Sequence, residues 1–151
     1  MTGFLKTRTA LAIFGLLSLF VLLQGGSREI RKGQEKIRLN GYTIAVERAD
    51  TEAKRIQGLS GRTWLPVKTG MLFVFESAGR QGIWMKEMHF SIDILWLDDT
   101  LRIVDIKENA APESYPAVFY PREDAWYVLE IPAGSAAAWK LKVGDEAVRL
   151  P

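Results

Sequence analysis

Apolar and polar residues alternate along much of the chain from residue 37 onward. "IRLNGYTIAVE" (37–47) alternates on both sides of Asn40-Gly41. That dipeptide favours the positive φ values of a two-residue turn, so the pattern predicts a β-hairpin. "DTEAKRIQGLSG" (50–61) drops the alternation and carries helix signals instead. Asp50 or Thr51 can cap a first turn, and Gly58 can close a short helix in the left-handed conformation. Residues 61–69, with Pro66, read as a loop. "MLFVF" (71–75) lies between Gly70 and an "ESAGRQG" turn and predicts a short buried strand. "LRIVDI" (101–106) follows a tight turn at Asp98-Asp99-Thr100; "AWYVLEI" (125–131) and "DEAVRL" (145–150) predict two more strands. Ser135 can cap a short helix in "AAAWKL" (136–141). Residues 109–122 hold three of the six prolines, which makes them a structured loop. At least six strands with short connections and two small helices predict a mainly β domain, a compact antiparallel sandwich or barrel.

"WMKEMHFSIDILWLDD" (84–99) concentrates the candidate chemistry. Read as a strand from residue 87, it puts Glu87, His89, Ser91 and Asp93 on one face and Met88, Phe90, Ile92, Ile94 and Trp96 on the other. Past Asp93 every residue through Leu97 is apolar, so the second half predicts burial on both faces. Along a strand, neighbours on one face are ~6.8 Å apart and next neighbours ~13.5 Å. A nucleophile and its base need ~2.6–3.2 Å, so a Ser–His–Asp relay does not assemble here. An acid entering an apolar run is expected to accept backbone or Arg hydrogen bonds, and Arg62 is the candidate partner of Asp93.

The front end changes the picture. Lys6 and Arg8 precede an uncharged run, Thr9–Leu23, of 15 residues, which reaches 19 when Gln24–Ser27 are included. At ~1.5 Å per residue the longer run nears a ~30 Å hydrocarbon core. Residues 1–27 are therefore expected to be a signal anchor or signal peptide, with membrane contact at 9–27. Residues 28–36 form a polar tether, and 37–151 a β-rich domain outside the cytoplasm. The alternative is secretion after cleavage near Ser27, where Gly25 and Ser27 supply small residues.

Charge follows that division. From Leu39 onward there are 13 bases against 16 acids, so the +2 net charge comes from the front end. A nucleic-acid binder carries its basic excess on the domain itself, so no nucleic-acid partner is expected. The absence of cysteine excludes disulfides, thiolate nucleophiles and Cys-based zinc sites. With one His, no metal site and no cofactor are expected. Asp98-Asp99 is the obvious place for a hard cation, but a turn uses Asp for local hydrogen bonds anyway.

"GLSGR" (58–62), "GMLFVF" (70–75), "WMKEM" (84–88), "IDILWLD" (92–98), "IVDI" (103–106), "SYP" (114–116), "YVLEIPAG" (127–134) and "VGD" (143–145) resemble, in order and spacing, the domain-of-unknown-function 192 family. The resemblance implies a compact, mainly β fold and an N-terminal export signal or anchor, and it brings no established activity. Gly58, Arg62, Gly70, Met71, Trp84, Met85, Lys86, Asp93 and Asp98 match its recurrent pattern. The family pattern has Asn where Glu87 stands, Arg or a similar residue at His89, and Pro at Ser91. Pro fits a central strand badly.

These observations lead to a membrane-tethered binding or accessory module for an envelope glycan, protein or other component. The candidate binding residues are Arg62, Trp84, Lys86, Asp93, Tyr115 and Tyr120, with the two tyrosines offering a stacking surface. The alternative is an envelope hydrolase using carboxylates, which requires Arg62, Lys86, Asp93 and another acid to converge in a cleft. A structural accessory role in a membrane complex is a third reading.

Overall fold

Strand β1 (Glu35–Leu39) turns into β2 (Tyr42–Ala49) through Asn40 at φ 43° and Gly41 at φ 84°. Both central residues are left-handed, which is the turn the Asn-Gly pair selects. The computed structural model describes residues 35–151. The expected anchor or signal and nearly all of the polar tether lie outside the described residues. Among the described residues no helix is long and apolar enough to cross a membrane.

After β2, Thr51 caps α1 (Glu52–Gln57) by accepting the Lys54 N–H, and Gly58 at φ 49° ends it. The chain then crosses over to β3 (Thr69–Gly79), which runs parallel to β2. A parallel pair needs such a crossover, and this one lays α1 and residues 58–68 over one face of the sheet. Strands β4 (Ile83–Trp84), β5 (Ile92–Leu97), β6 (Ile103–Ala110), β7 (Val118–Phe119), β8 (Ala125–Pro132) and β9 (Ala147–Leu150) follow, with α2 (Ser135–Ala138) before the last. Seven strands form one sheet in the order β6-β5-β8-β3-β2-β1-β9, and β4 pairs with β7 separately. The large sheet curls until its edges meet at one end. Arg102 and Glu146 form a bridge there, and the Ala147 N–H donates to the Leu101 carbonyl at 2.9 Å.

The fold is thus a mainly β half-barrel rather than two stacked sheets, and the period-two rule sorts its core. On β5, Leu95 and Leu97 face the concave side with Leu72, Leu129 and Ile131, while Ile92, Ile94 and Trp96 face the convex side with Met71, Phe73 and Val128. Both sides are apolar and both are covered. All six residues of β5 are buried, as its uninterrupted apolar run predicts.

The structure corrects four expectations. Residues 85–91 are a turn, not the start of a strand, and β5 begins only at Ile92. Glu87 sits at φ 56°, a left-handed position that Asn adopts more readily, and Ser91 precedes the strand, where Pro does no harm. The Asn and Pro that the resemblance implies at these places would therefore fit the observed backbone. "ESAG" is not a turn but the end of β3, beyond a register irregularity between Val74 and Gly79. Ser135 makes no capping bond. The cap comes instead from Asp93, 43 positions away in sequence, whose carboxylate accepts the Ala136 N–H at 2.8 Å. Its other oxygen accepts the Asn109 N–H at 2.8 Å, so Asp93 does not pair with Arg62.

Asp93 is fully buried, and its two oxygens tie β5 to α2 and to β6. Removing them leaves two buried donors unmet, each costing ~1–3 kcal/mol. Asp93→Ala is expected to lower unfolding stability by ~2–4 kcal/mol, with Asp93→Asn costing less because it keeps one acceptor. Denaturant midpoints measure both. Equal stability of the alanine variant and the wild type would remove Asp93 from this role.

Candidate functional site

The convex face of β3 and β8 is not covered evenly. Between the sheet, α1 and β4 lies a cavity of about 230 Å³, bounded by Phe73 and Phe75 of β3, Glu130 of β8, Ile56 to Ser60 at the end of α1, and Ile83, Trp84 and Met88. Drug-sized sites run ~300–1,000 Å³, so this space suits a smaller molecule or one long side chain. Ile56 and Trp84 are largely exposed (64% and 49%) and mark its mouth.

The walls are held by the backbone. Gly58 turns the chain so that Leu59 enters the convex core. The Ser60 hydroxyl then donates to the Lys86 carbonyl at 2.9 Å, and the Gly61 N–H to the Glu87 carbonyl at 2.8 Å. "GLSGR" and "WMKEM" are thereby latched to each other. "GMLFVF" supplies the aromatic wall and "YVLEIPAG" supplies Glu130. Four of the eight motifs that carry the family resemblance meet around one space.

Glu130 forms its floor. It is 5% exposed and shares the convex face with Val128, between Met71 on one side and Ile94 on the other. Among the described residues its carboxyl makes no hydrogen bond. Burial pushes its pKa up to about 8, and the positive charge of Arg62 offsets only part of that. The strand is held close at this point by Gly70, where an added Cβ would come within 2.5 Å of the Glu130 carbonyl oxygen.

The six sequence-level candidates scatter. Trp84 lines the cavity. Arg62 does not line the cavity; its guanidinium grips Glu47 of β2 with bonds of 2.6 and 2.8 Å. Lys86 lends its carbonyl to the Ser60 latch, and its ammonium lies 4.0 Å from Glu87 in solvent. Asp93 lies on the other side of the sheet from Glu130, so Arg62, Lys86 and Asp93 do not converge. Tyr120 crowds Gly82 at the rim, where a Cβ would meet its ring at 2.6 Å. Tyr115 is exposed and does not line the cavity. His89 is exposed on the 85–91 turn. Glu130 was not among the six. Its one signal is an acid inside "WYVLEI" at a position in phase with Val128, the same signal that singles out Asp93.

A second acid is held differently. Burial works against the Asp105 carboxylate, but the Arg122 side chain and backbone and the Ile106 N–H outweigh it and keep its pKa low. That ion pair pins the 111–124 loop to β6.

The family model DUF192, "Uncharacterized ACR", matches residues 35–148. A UPF0127 protein of Thermococcus gammatolerans is 35% identical over 102 residues, covering 66% of this chain and 63% of its own length. A second, from Thermococcus sibiricus, is 33% identical, covering 70% of this chain and 66% of its own length. The match therefore spans less than two thirds of either relative. A crystal structure from Sinorhizobium meliloti 1021, described as a candidate transcription regulator, superposes with a TM-score of 0.72 at 34% identity, covering 78% of this chain and 94% of that one. A protein of unknown function from Novosphingobium aromaticivorans gives a TM-score of 0.72 at 26% identity, covering 82% and 91%.

The Glu130 carboxyl carries a pH signature. Its folded pKa, about 8, lies above its ordinary 4.5, so folding takes up a proton between those values. The stability this lends is fully present below about pH 4.5 and is lost as pH rises through about 8. Glu130→Gln cannot ionise and is expected to hold its stability between about pH 5 and about pH 8, where the wild type falls by a few kcal/mol. Unfolding midpoints of both proteins across that range check it. Parallel pH profiles would mean that Glu130 ionises as freely folded as unfolded.

Proposed function

The chain belongs to the DUF192 family, and on that footing we propose that it is a small-ligand binding module whose site is the cavity floored by Glu130. A membrane segment at residues 9–27 holds the module outside the cytoplasm. One observation carries the binding reading: a buried carboxyl without a hydrogen bond faces a cavity walled by four of the family's motifs. An unpaired polar group in an apolar setting costs folding free energy. Such a cost is retained where a ligand meets the group. The tether rests on the basic, then uncharged, then basic layout of residues 6–32.

The charge of the body speaks against the transcription role described for the Sinorhizobium structure. From Leu39 onward acids outnumber bases, the reverse of what phosphate contacts require. An envelope hydrolase keeps one supporting observation: Glu52 lines the same cavity as Glu130, and a carboxyl titrating near 8 still holds a proton to donate at neutral pH. Asp93 has no part in such a reaction, because both of its oxygens are engaged on the opposite face.

Screening small fragments against the full-length chain in detergent micelles, by ligand-observed NMR, tests the site. Bound fragments are expected to lose their signal when Ser60→Trp fills the cavity, and to keep it in Tyr115→Ala. Fragments that bind both variants equally would place the site elsewhere. For the tether, membrane fractionation and protease added from outside are expected to recover the protein in the membrane with its body degraded.

A further inference from the structure

We infer that the ligand is an organic monocation: a protonated amine on a short apolar stem, entering amine first and ending against the Glu130 carboxylate. This rests on the binding reading above and adds the chemistry of what is bound.

The charges around the cavity point to a cation. Glu130 of β8 and Glu52 and Arg55 of α1 line it, and outside the lining Arg62, from the loop after α1, acts on Glu130 while it is held by Glu47 of β2. That is three acids and two bases. Both bases are already engaged. Arg62 is held by two bonds to Glu47, and Arg55 donates to the Val74 carbonyl at 2.9 Å with its guanidinium 5.4 Å from the Phe75 ring centroid. Among the described residues that leaves two carboxyls without a salt-bridge partner, Glu52 at the exposed side and Glu130 at the floor, where a proton or an arriving cation must balance the charge. The residues facing Glu130 from β3, β5 and the 83–88 segment (Met71, Phe73, Ile94, Ile83 and Met88) bring no charge.

The walls specify the rest of the ligand. A metal ion such as calcium takes six to eight oxygens, and among the described residues no group of three or more acids or histidines gathers to supply them. Leu59, Phe73, Phe75, Ile83 and Met88 offer apolar contact for a stem, and the exposed Trp84 ring at the mouth offers a π face to an arriving cation. A volume of about 230 Å³ holds a short alkylamine or the end of one lysine side chain. These are two sources of one chemistry.

Charge balance links binding to pH. At neutral pH the empty cavity holds a proton on Glu130, and a cation requires the carboxylate, so uptake releases that proton. The competent form grows about tenfold per pH unit until the group has titrated, and apparent affinity follows it.

The test uses the full-length chain in detergent micelles with three probes of one shape: n-butylammonium, butanol and butanoate. An Nα-acetyl-lysine amide serves as the fourth. Dissociation constants are measured by calorimetry between about pH 6 and about pH 8. The expected result is binding of butylammonium that strengthens by about fifty-fold across that range, with a proton released. Glu130→Gln, confirmed folded by its melting curve, is expected to weaken it at least tenfold and flatten the pH dependence. Tighter binding of the lysine amide identifies a polypeptide as the source, and weaker binding a free amine; either supports the inference. Preference for butanoate or butanol, or affinity that falls as pH rises, overturns the cation while leaving the binding module standing. Failure of all four probes on a chain that still binds fragments at the cavity also overturns the cation alone. Failure of probes and fragments together overturns both readings. Should Glu130→Gln not fold, the wild-type pH slope decides.

Discussion

The inner strands of the large sheet are apolar on both sides, so water must be kept from two faces of one curled layer. The concave face closes on itself as the sheet bends, with Trp139 and Leu141 after α2 filling the end. The convex face is met only by the small β4–β7 pair and must otherwise be covered by whatever the connections provide. The parallel step from β2 to β3 supplies that cover, because its crossover carries α1 and Leu59–Leu65 across the convex side. The 83–92 stretch covers the rest. Between these two pieces the cover is incomplete, and the cavity is the gap.

The two acids buried in neighbouring strands show how one residue type serves opposite ends. Asp93 and Glu130 lie on paired strands, one residue out of phase, and therefore on opposite faces. Asp93 meets two backbone N–H groups and becomes a joint between a strand, a helix start and a second strand. Glu130 meets no donor, and its pKa moves instead. A carboxylate with partners contributes to folding, whereas one without them is paid for by the rest of the fold. The convex core of Met71, Phe73, Ile94 and Val128 around Glu130 supplies the compensating burial.

Much of the fold was legible because short-range signals decided it. Asn40-Gly41, the Thr51 cap, the Gly58 stop and the two-sided burial of β5 each follow from residues within a few positions. Where the reading failed, distant groups decided. Period-two alternation over 87–93 imitated a strand, but hydrogen bonds to Ser60 and Gly61 hold residues 86–87 in a turn. Ser135 had the right chemistry for a cap and lost it to Asp93, from a strand no local pattern connects to α2. Arg62 was legible as a charge needing an acid and was matched to Asp93; Glu47, which no local pattern connects to Arg62, takes that place in the structure. Glu130 was the least visible. One acid in an apolar strand reads the same whether its carboxyl finds donors or a hollow, and the difference lies in elements far from it in sequence, α1, β3 and the 83–88 segment.

The meeting of the sheet's rims at Arg102 and Glu146 has a consequence for the protein's social behaviour. An open sheet exposes a ladder of free amide and carbonyl groups along each border, ready to recruit a strand from another molecule. Here the start of each border strand satisfies the other, and β9 runs for only four residues beyond that junction. On the β9 border the stretch left for a foreign strand to copy is brief, and its Arg149 is ion-paired with Glu35 of β1 at 3.0 Å. The same curl that gives the protein a core thereby shortens one of its two open borders, while β6 runs for eight residues along the other.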